Sequence, residues 1–269
     1  MSRILLVDAG NSSIKWAFLQ NHSLSVQQRE FYRRQEPVQV FENLIRKNQD
    51  SCDAVVMVSV LGDKFKQAAS HLAKKYSLKF LQVKSQKFLA GITNAYTEPH
   101  KLGADRLLAM IAAYHLNNKR QTDRKACIII DSGTATTIDA VDPQGNHLGG
   151  LILPGVDLCS RSLLQNTQQL QAWAEPENQM KRQASVFSSN TADAIANASI
   201  YGLAGAIEHI CLKMEKQIKA SDNFAVNSIN KFICGGAAEF LLPYLDGEYQ
   251  LEKNLLMQGL QIISEIHYA

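Results

Sequence analysis

The chain has 269 residues, a length typical of one large domain or of two domains of moderate size. Hydrophobic residues make up 46% of the sequence and charged residues 20%, which allows a substantial core and argues against extensive disorder. The formal net charge is only +3 and the basic residues are scattered, so a nucleic-acid-binding surface is not expected.

The cysteine content indicates a reducing compartment. The number of cysteines is odd and none belongs to a C-x-x-C pair, which also argues against a structural zinc site. The five cysteines are Cys52, Cys127, Cys159, Cys211 and Cys234. The first apolar run is too short for a signal peptide and Asp8 interrupts it. No stretch reaches the roughly 18 apolar residues of a membrane-spanning helix. We therefore expect a cytoplasmic protein that has no membrane partner.

In the first half of the chain, strand patterns alternate with helical patterns. The run "AVVMVSV" at 54–60 is continuously apolar and rich in β-branched residues, as in a strand buried on both faces. Elsewhere, apolar residues three and four apart indicate helices. The predicted strands are 4–8, 14–19, 27–33, 54–60 and 79–83, and the predicted helices are 37–49, 63–76 and 103–116.

A polar segment at 117–125, "NNKRQTDRK", predicts a domain boundary, after which the same order restarts. Residues 165–189 are polar and irregular, and we expect a mobile loop there. A long helix over 191–218 can take its N-cap from Ser188, Ser189 or Asn190. The remaining elements are predicted strands at 126–131, 136–141, 147–153 and 231–236, a helix at 156–164, a short helix, a short strand near 249–251 and a C-terminal amphipathic helix. The pattern predicts an α/β protein with two domains, 1–118 and 119–269, each of β-β-β-α-β-α order.

Two related turns stand out, "LLVDAGNSSIKWAF" at 5–18 and "IIIDSGTATTIDAV" at 128–141. Each has an apolar strand, an aspartate, a turn with glycine and hydroxyl residues, and a second strand. Aligning the aspartates places Asp8 with Asp131, Gly10 with Gly133, Asn11 with Thr134 and Ser13 with Thr136.

This composition suits phosphate binding. Glycine lets backbone N–H groups approach an anion, and hydroxyl and amide side chains add donors. The aspartates could hold Mg²⁺ or a monovalent cation, and Lys15 adds a positive charge. Two such turns facing each other across a cleft would bind a polyphosphate and its metal from both sides. A single turn of this kind is common and more often only structural, whereas two copies favour phosphate handling.

Five segments together resemble, in order, the motifs of type III pantothenate kinases. They are "DAGNSSIK" at 8–15, "YTEPHKLGADR" at 96–106, "DSGTATTIDAVDPQGNHLGGLILPG" at 131–155, "SNTADAI" at 189–195 and "CGGAAEFL" at 234–241. The resemblance implies duplicated ribonuclease H-like (actin-like ATPase) domains with a nucleotide cleft between the halves. It also implies ATP-dependent phosphorylation of pantothenate to 4′-phosphopantothenate, the first step of coenzyme A biosynthesis.

The resemblance also implies the nucleotide and metal contacts. The first turn would meet the β- and γ-phosphates of ATP with Mg²⁺. Thr134 would contact ATP from the second turn, and Asp131 would bind K⁺ or NH₄⁺. The cofactor-binding residues of the first turn are Asp8, Ala9, Gly10, Asn11, Ser12, Ser13, Ile14 and Lys15.

For the acceptor substrate, Asp105 matches the general base of the family, which takes the proton from the primary hydroxyl of pantothenate. Arg106 is suited to bind the pantothenate carboxylate through two hydrogen bonds. The resemblance further implies a homodimer formed through the second domain, for which the helix at 191–218 could supply the surface. The implied substrate-binding residues are Tyr96, Gly103, Ala104, Asp105, Arg106 and Thr191.

Structural explanations remain for each of these residues. Asp105 and Arg106 could be a salt-bridged pair in a first helical turn, Tyr96 a half-buried surface aromatic residue, and Thr191 a helix cap. At the level of function, the alternatives are another small-molecule kinase of the same superfamily and a non-catalytic transcriptional accessory protein on the same fold.

Overall fold

The structure is a computed structural model that describes residues 3–118, 125–167, 183–221 and 228–268. It divides into two compact units. The first unit contains Met1–Leu116, Gly145–His147 and Asn254–Ala269, and the second contains Asn117–Gln144 and Leu148–Lys253.

The first unit is built on a mixed sheet of order β3-β2-β1-β5-β6, with β4 paired to β2. Strands β1 and β2 are antiparallel neighbours, whereas β5 runs parallel to β1 and therefore needs the crossover helix α1. These elements are β1 (Ile4–Ala9), β2 (Ser13–Gln20), β3 (Ser23–Leu24), β4 (Gln28–Phe31), α1 (Pro37–Asn48), β5 (Ala54–Ser59), α2 (Asp63–Lys75) and β6 (Lys79–Gln82).

The rest of the first unit is a hairpin, two helices and a loop. The hairpin consists of β7 (Phe88–Leu89) and β8 (Ile92–Thr93), and the helices are α3 (Ala104–Asn117) and the C-terminal helix, here called α7 (Leu255–Tyr268). Between β8 and α3 the chain has only one short 3-10 turn, Pro99–Lys101, so most of this loop lacks regular secondary structure.

Both faces of the first sheet are covered. Leu5 and Val7 of β1 pack into one cluster with Phe41 of α1 and Phe65 of α2. Alternation along the strand turns the intervening residue, Leu6, to the opposite face, and helix α7 packs against β1, β2 and β5. This explains why β1 and β5 are apolar at consecutive positions.

The second unit repeats the topology of the first. Its sheet has the order β11-β10-β9-β12-β13, with β9 and β10 antiparallel and β9 and β12 parallel. Its elements are β9 (Ala126–Ser132), β10 (Ala135–Val141), β11 (His147–Pro154), α4 (Val156–Asn166), α5 (Thr191–Lys219), β12 (Ile229–Cys234), α6 (Ala238–Leu241) and β13 (Gln250–Leu251). The shared strand order supports the duplication predicted from the two turns.

The long helix α5 is, by length and composition alone, apolar enough to cross a membrane. Its inward residues Ile200, Leu203 and Ile207 belong to the core cluster of the second unit, together with Ile128 and Ile130 of β9. Such burial is what a core helix shows, so its hydrophobicity is explained by packing within the unit.

The predicted elements agree with the structure apart from short strands and some ends. Strands β3, β7 and β8, each of two residues, were not predicted, because a two-residue strand is too short to show alternation. Residues 165–189 were predicted as an irregular loop. Helix α4 extends into this segment as far as Asn166, and residues 168–182 lie outside the described residues.

The compact units also differ from the predicted division into 1–118 and 119–269. Helix α7 and residues 145–147 belong to the first unit, although they follow the polar segment in sequence. The backbone at Gly259 of α7 lies so close to helix α3 that an added Cβ would overlap the carbonyl oxygen of Leu108. This close packing assigns α7 to the first unit.

We expect Gly259→Ala to destabilise the protein by roughly 1–3 kcal/mol, because the added methyl group overpacks the α3–α7 contact. Urea unfolding measures the change. The matched control is Gly202→Ala on α5, where an added Cβ meets nothing within 4 Å, and which should be neutral or stabilising by up to about 1 kcal/mol. Equal stability of Gly259→Ala and wild type would contradict the α3–α7 packing.

Candidate functional site

The first turn joins β1 to β2 through Gly10, Asn11 and Ser12. The N–H of Gly10 donates to the carbonyl oxygen of Ser13 at 3.1 Å, and the N–H of Tyr32 donates to that of Ser12 at 3.2 Å. The side chains of Asn11 and Ser12 are exposed. The main chain therefore fixes the turn, with these two side chains at its surface.

Two of the predicted phosphate-loop residues cannot act through their side chains. Ala9 and Ile14 are paired across β1 and β2, and both are fully buried. Any contact they make with a ligand would therefore come from their backbone atoms.

The carboxylate of Asp8 is buried at the end of β1, with only 7% of the residue exposed. It faces Lys15, its partner across β2, and the Lys15 Nζ lies 3.3 Å from the Asp8 Oδ2. Burial raises the pKa of Asp8, the charge and hydrogen bond of Lys15 oppose the rise, and the negative charge of Asp105 adds to it. A second cation would therefore stabilise the ionised form of this carboxylate.

Arg29 and Tyr32 also belong to this neighbourhood, although the sequence analysis did not single them out. Arg29 pairs with Lys15 across β2 and β4, and its Nε donates to the Ser13 Oγ at 2.9 Å. Burial lowers the pKa of Arg29, while Asp8 opposes that change. These contacts depend on the β2–β4 register, which no local motif reports.

Tyr32 is buried beneath the same turn, with 6% of the residue exposed. Burial raises the pKa of its hydroxyl, and the charge of Asp8 adds to the effect. Within the described residues, this hydroxyl has no hydrogen-bond partner. A buried unpaired hydroxyl costs free energy, so the first turn has unused hydrogen-bonding capacity close to its aspartate.

The second predicted cluster lies at the start of α3. Asp105 is half-buried in the first helical turn, and its Oδ1 accepts a hydrogen bond from the N–H of Arg106 at 2.8 Å. A Cβ at Gly103 would overlap that same oxygen, so glycine is needed for the carboxylate to occupy this position. Because the charge of Asp105 acts on Asp8, both aspartates belong to one electrostatic neighbourhood.

Arg106 and Tyr96 form the third part of the site. Arg106 is a buried cation, 6% exposed, and its Nη1 donates to the Tyr96 hydroxyl at 2.9 Å. The Tyr96 ring stacks on His147, with centroids 6.1 Å apart and planes inclined by 17°. Tyr96 thus contacts Arg106 through its hydroxyl and His147 through its ring. A half-buried surface aromatic residue would not be expected to make both contacts.

In the second unit, the predicted ATP-contacting turn is a tight connection between β9 and β10. The N–H of Gly133 donates to the carbonyl oxygen of Ala135 at 2.9 Å, and Thr134 is exposed. Beneath it, the hydroxyls of Ser132 and Thr136 are hydrogen-bonded at 2.9 Å. A Cβ at Gly155 would overlap the backbone of this turn.

Asp131 precedes this turn and pairs with Cys234 on β12. The next residue of that segment, Gly235, has φ +93° and approaches so closely that an added Cβ would overlap the Asp131 Oδ1 and the Ser132 carbonyl oxygen. Glycine is required at position 235, because any other residue would be strained by the positive φ and its Cβ would overlap these two oxygen atoms.

The two turns differ by one residue. In the first turn Ala9 pairs with Ile14, whereas in the second Ser132 pairs with Thr136. The ungapped alignment of Ser13 with Thr136 therefore shifts by one position, and Lys15 corresponds to Thr137. The second turn lacks a cation at the position that faces its aspartate.

Thr191 is the first residue of α5, in the second unit. The N-cap is its neighbour Asn190, whose Oδ1 accepts a hydrogen bond from the N–H of Asp193 at 2.8 Å. The structure therefore does not support a capping role as the explanation of Thr191.

No resident metal centre is formed by the described part of the chain, where no three His, Cys, Asp or Glu residues gather as ligands. Mg²⁺ that accompanies a nucleotide needs only one or two carboxylates, because phosphate oxygens and water supply its other ligands. The buried carboxylate of Asp8 at the end of β1 fits this second kind of site.

Comparison with known proteins decides the family. The model of the type III pantothenate kinase family matches residues 4–213. The chain belongs to the type III pantothenate kinase family. The curated type III pantothenate kinase of Janthinobacterium sp. (strain Marseille) is 32% identical, with 98% of each chain covered. That of Pseudoalteromonas translucida is 35% identical, with 76% of each chain covered. The expected family and the expectation of a phosphotransferase are confirmed.

Solved structures confirm the fold of this type III pantothenate kinase. The ethanolamine utilization protein EutJ from Carboxydothermus hydrogenoformans superposes with a TM-score of 0.53 at 13% identity, covering 97% of this chain and 90% of that one. MreB5 of Spiroplasma citri bound to ADP gives a TM-score of 0.54 at 8% identity, covering 99% and 97%. Likeness at such low identity concerns the fold alone, and it confirms the predicted duplicated actin-like ATPase architecture.

We expect Asp8→Asn to increase stability at neutral pH by about 1 kcal/mol. Because burial raises the folded-state pKa of Asp8 above its ordinary value of 3.8, the wild type loses stability as the pH rises from 3.8 toward the folded-state pKa. The asparagine variant has no carboxyl group to ionise, so its stability does not fall over this pH range. The difference in stability between the variant and the wild type should therefore vanish near pH 3.8 and below. Urea unfolding at a series of pH values measures it.

The control for this experiment is Asp63→Asn, at a side chain that is 88% exposed. It should show no comparable gain. Lower stability of Asp8→Asn at neutral pH would mean that the attraction of Lys15 outweighs the cost of burial.

Proposed function

We propose that this chain transfers the γ-phosphoryl group of ATP to the primary hydroxyl of pantothenate, forming 4′-phosphopantothenate in the first step of coenzyme A biosynthesis. Family membership supports the reaction. The structural observation that supports it most is the cluster at the start of α3, where the Asp105 carboxylate accepts a hydrogen bond from the N–H of Arg106 and the buried Arg106 side chain is bonded to the Tyr96 hydroxyl.

In this proposal the first turn binds the β- and γ-phosphates. The exposed Asn11 and Ser12 side chains, the turn backbone and the Lys15 ammonium provide donors for phosphate oxygens. Arg29 adds a guanidinium one strand away. When bound, Mg²⁺ neutralises phosphate charge, and Asp8 would hold it; this also offsets the cost of burying that carboxylate.

Asp105 acts as the general base. Its Oδ1 is oriented by the N–H of Arg106, and the carboxylate accepts the proton from the primary hydroxyl as that oxygen forms its bond to the γ-phosphorus. The bond between the γ-phosphorus and the β,γ-bridging oxygen breaks, and ADP leaves with the electron pair. Phosphoryl transfer depends mainly on positioning and charge neutralisation, so the main requirement on Asp105 is its position.

Arg106 and Tyr96 bind the acceptor. A guanidinium matches the planar carboxylate of pantothenate, and the 2.9 Å bond from Arg106 to the Tyr96 hydroxyl holds the cation in place. The close approach at Gly103 keeps the base beside the acceptor hydroxyl. Ala104 and Thr191 are proposed as further substrate contacts, because they match family positions.

The second unit contributes Thr134 to ATP binding and Asp131 to a monovalent cation, K⁺ or NH₄⁺. The exposed position of Thr134 in a tight turn supports the first role. Asp131 is proposed for the second role because it matches the family position that holds this cation, and its Oδ1 lies beside the turn backbone where Gly235 approaches.

A cytoplasmic location is supported by the free state of all five cysteines. We also propose a homodimer formed through the second unit. That unit exposes several large apolar side chains on β11 and α4, and a partner subunit would cover them. These side chains are Leu148, Leu151, Ile152, Leu158 and Leu163.

The proposed activity is tested by a coupled assay with pantothenate, ATP, Mg²⁺ and either K⁺ or NH₄⁺. We expect Asp105→Asn to lower kcat by at least ~10³-fold, because the base that accepts the hydroxyl proton is lost. Binding of ATP, measured separately by calorimetry, should survive. The control is Asp63→Asn, which is remote from the site in sequence and exposed. Retained turnover in Asp105→Asn would remove this residue from its role, and no 4′-phosphopantothenate from the wild type would reject the function.

The dimer is tested by light scattering at micromolar concentration, where we expect twice the 29.9 kDa of one chain. Ile152→Glu should shift the mass toward the monomer, because a charge would enter the apolar interface. The control is Val26→Glu, which alters a side chain that is 85% exposed in the first unit. A wild-type mass of one chain would reject the dimer.

A further inference from the structure

Asn94 is a buried polar residue two positions before Tyr96, outside every motif that the sequence analysis identified. It has no exposed surface. It follows strand β8 and begins the loop that leads to α3. A fully buried amide must have its hydrogen bonds satisfied, so the partners of Asn94 indicate what it does.

The side-chain amide of Asn94 connects four points of this loop. The two N–H groups of its Nδ2 are shared among three acceptors, the Ser85 Oγ at 3.3 Å and the carbonyl oxygens of Gln86 at 3.3 Å and Pro99 at 3.1 Å. Its Oδ1 accepts a hydrogen bond from the N–H of Tyr96 at 2.9 Å. The last bond, from the side chain of residue i to the backbone of residue i+2, forms an Asx turn.

The backbone of Asn94 is fixed as well. Its N–H donates to the carbonyl oxygen of Lys87 at 2.9 Å, and its carbonyl oxygen accepts from the Lys87 Nζ at 2.8 Å. Together, these bonds tie the loop to the segment that precedes the β7–β8 hairpin. A loop with little regular structure depends on such side-chain bonds to hold its backbone.

A continuous path of hydrogen bonds leads from Asn94 to the proposed acceptor site. Asn94 holds the backbone of Tyr96, and the Tyr96 hydroxyl accepts a hydrogen bond from the buried Arg106. A second contact braces the same point, since His147 stacks on the Tyr96 ring and its Nδ1 accepts from the N–H of Ala95 at 3.5 Å. The position of Arg106 therefore depends on where Asn94 places Tyr96.

We propose that Asn94 is a positioning residue for the acceptor substrate, acting through Tyr96 on Arg106. The inference rests on the proposed function, because it assigns the acceptor carboxylate to Arg106. Asn94 does not touch the substrate. Its effect falls on the binding of pantothenate and not on that of ATP.

Two substitutions separate this role from a merely structural one. Asn94→Ala removes every side-chain bond. Asn94→Ser keeps a short oxygen that can accept from the N–H of Tyr96 in a serine turn, but it loses the donations to Ser85, Gln86 and Pro99. Both variants should be less stable than the wild type. Only in the alanine variant should the backbone of Tyr96 leave its wild-type position.

In steady-state assays we expect Asn94→Ala to raise the KM for pantothenate about 10-fold or more, and the KM for ATP by less than about two-fold. Asn94→Ser should recover most of the KM for pantothenate while its unfolding midpoint stays low. The stability control is Leu44→Ala on α1, a buried core position whose loss should lower the midpoint without changing the KM for pantothenate. An unchanged KM for pantothenate in Asn94→Ala would overturn the inference and leave the proposed function intact.

A double-mutant cycle tests the path through Tyr96. If Asn94 acts through the Tyr96 hydroxyl, Asn94→Ala should raise the KM for pantothenate far less in a Tyr96→Phe background than in the wild type. Fully additive effects would overturn the inference.

A readout without substrate distinguishes failure of this inference from failure of the proposed function. Hydrogen–deuterium exchange of peptides covering residues 94–102 should be faster in Asn94→Ala and closer to wild type in Asn94→Ser, with β1 unchanged as reference. If the wild type does not phosphorylate pantothenate, the proposed function fails. If the exchange of this segment is the same in Asn94→Ala and wild type, the positioning role is rejected, whatever the activity.

Discussion

The site depends on one costly interaction, the burial of the Asp8 carboxylate against Lys15 at the end of β1. A buried charge needs a partner, and an ion pair inside a protein gains little unless its geometry is good. The antiparallel register places Lys15 directly opposite Asp8, and the next strand places Arg29 opposite Lys15. A one-residue slip would turn all three side chains to the wrong face. The register that buries the apolar residues of β1 and β2 thus also assembles the charges of the turn.

The duplicated strand order provides two similar turns with different chemistry. The first turn is surrounded by ionisable groups, whereas the second is supported by a hydroxyl pair, Ser132 and Thr136, and by two glycines that approach its backbone. The second turn is also one residue shorter: the N–H of Gly10 donates to the carbonyl oxygen of Ser13, whereas that of Gly133 donates to the carbonyl oxygen of Ala135, only two positions on. The two units therefore share a backbone plan, whereas the side chains around their turns differ.

The sequence predicted the parts of the fold and site that leave a local signal. Continuous apolar runs identify β1 and β5, and the paired aspartate–glycine turns identify the repeat. The segment at 103–106 was recognised through its likeness to the family motif. Arg29, Tyr32 and Asn94 were missed for a common reason: each acts through a partner set by strand register or by a loop path, and the spacing along the chain is uninformative. The place of α7 in the first unit also leaves no local signal, because the Gly259–Leu108 approach joins positions far apart in sequence.

The composition of the first unit affects how the chain can fold during translation. Helix α7 packs against strand β1 but is synthesised long after it, because the whole second unit lies between them in the sequence. Residues 145–147, whose Gly145 accepts a hydrogen bond from Thr93, also come after the start of the second unit. Contacts of such long sequence separation form slowly, so the nascent first unit keeps an apolar sheet face uncovered while the rest is made. The second unit, continuous apart from three residues, is free of this delay.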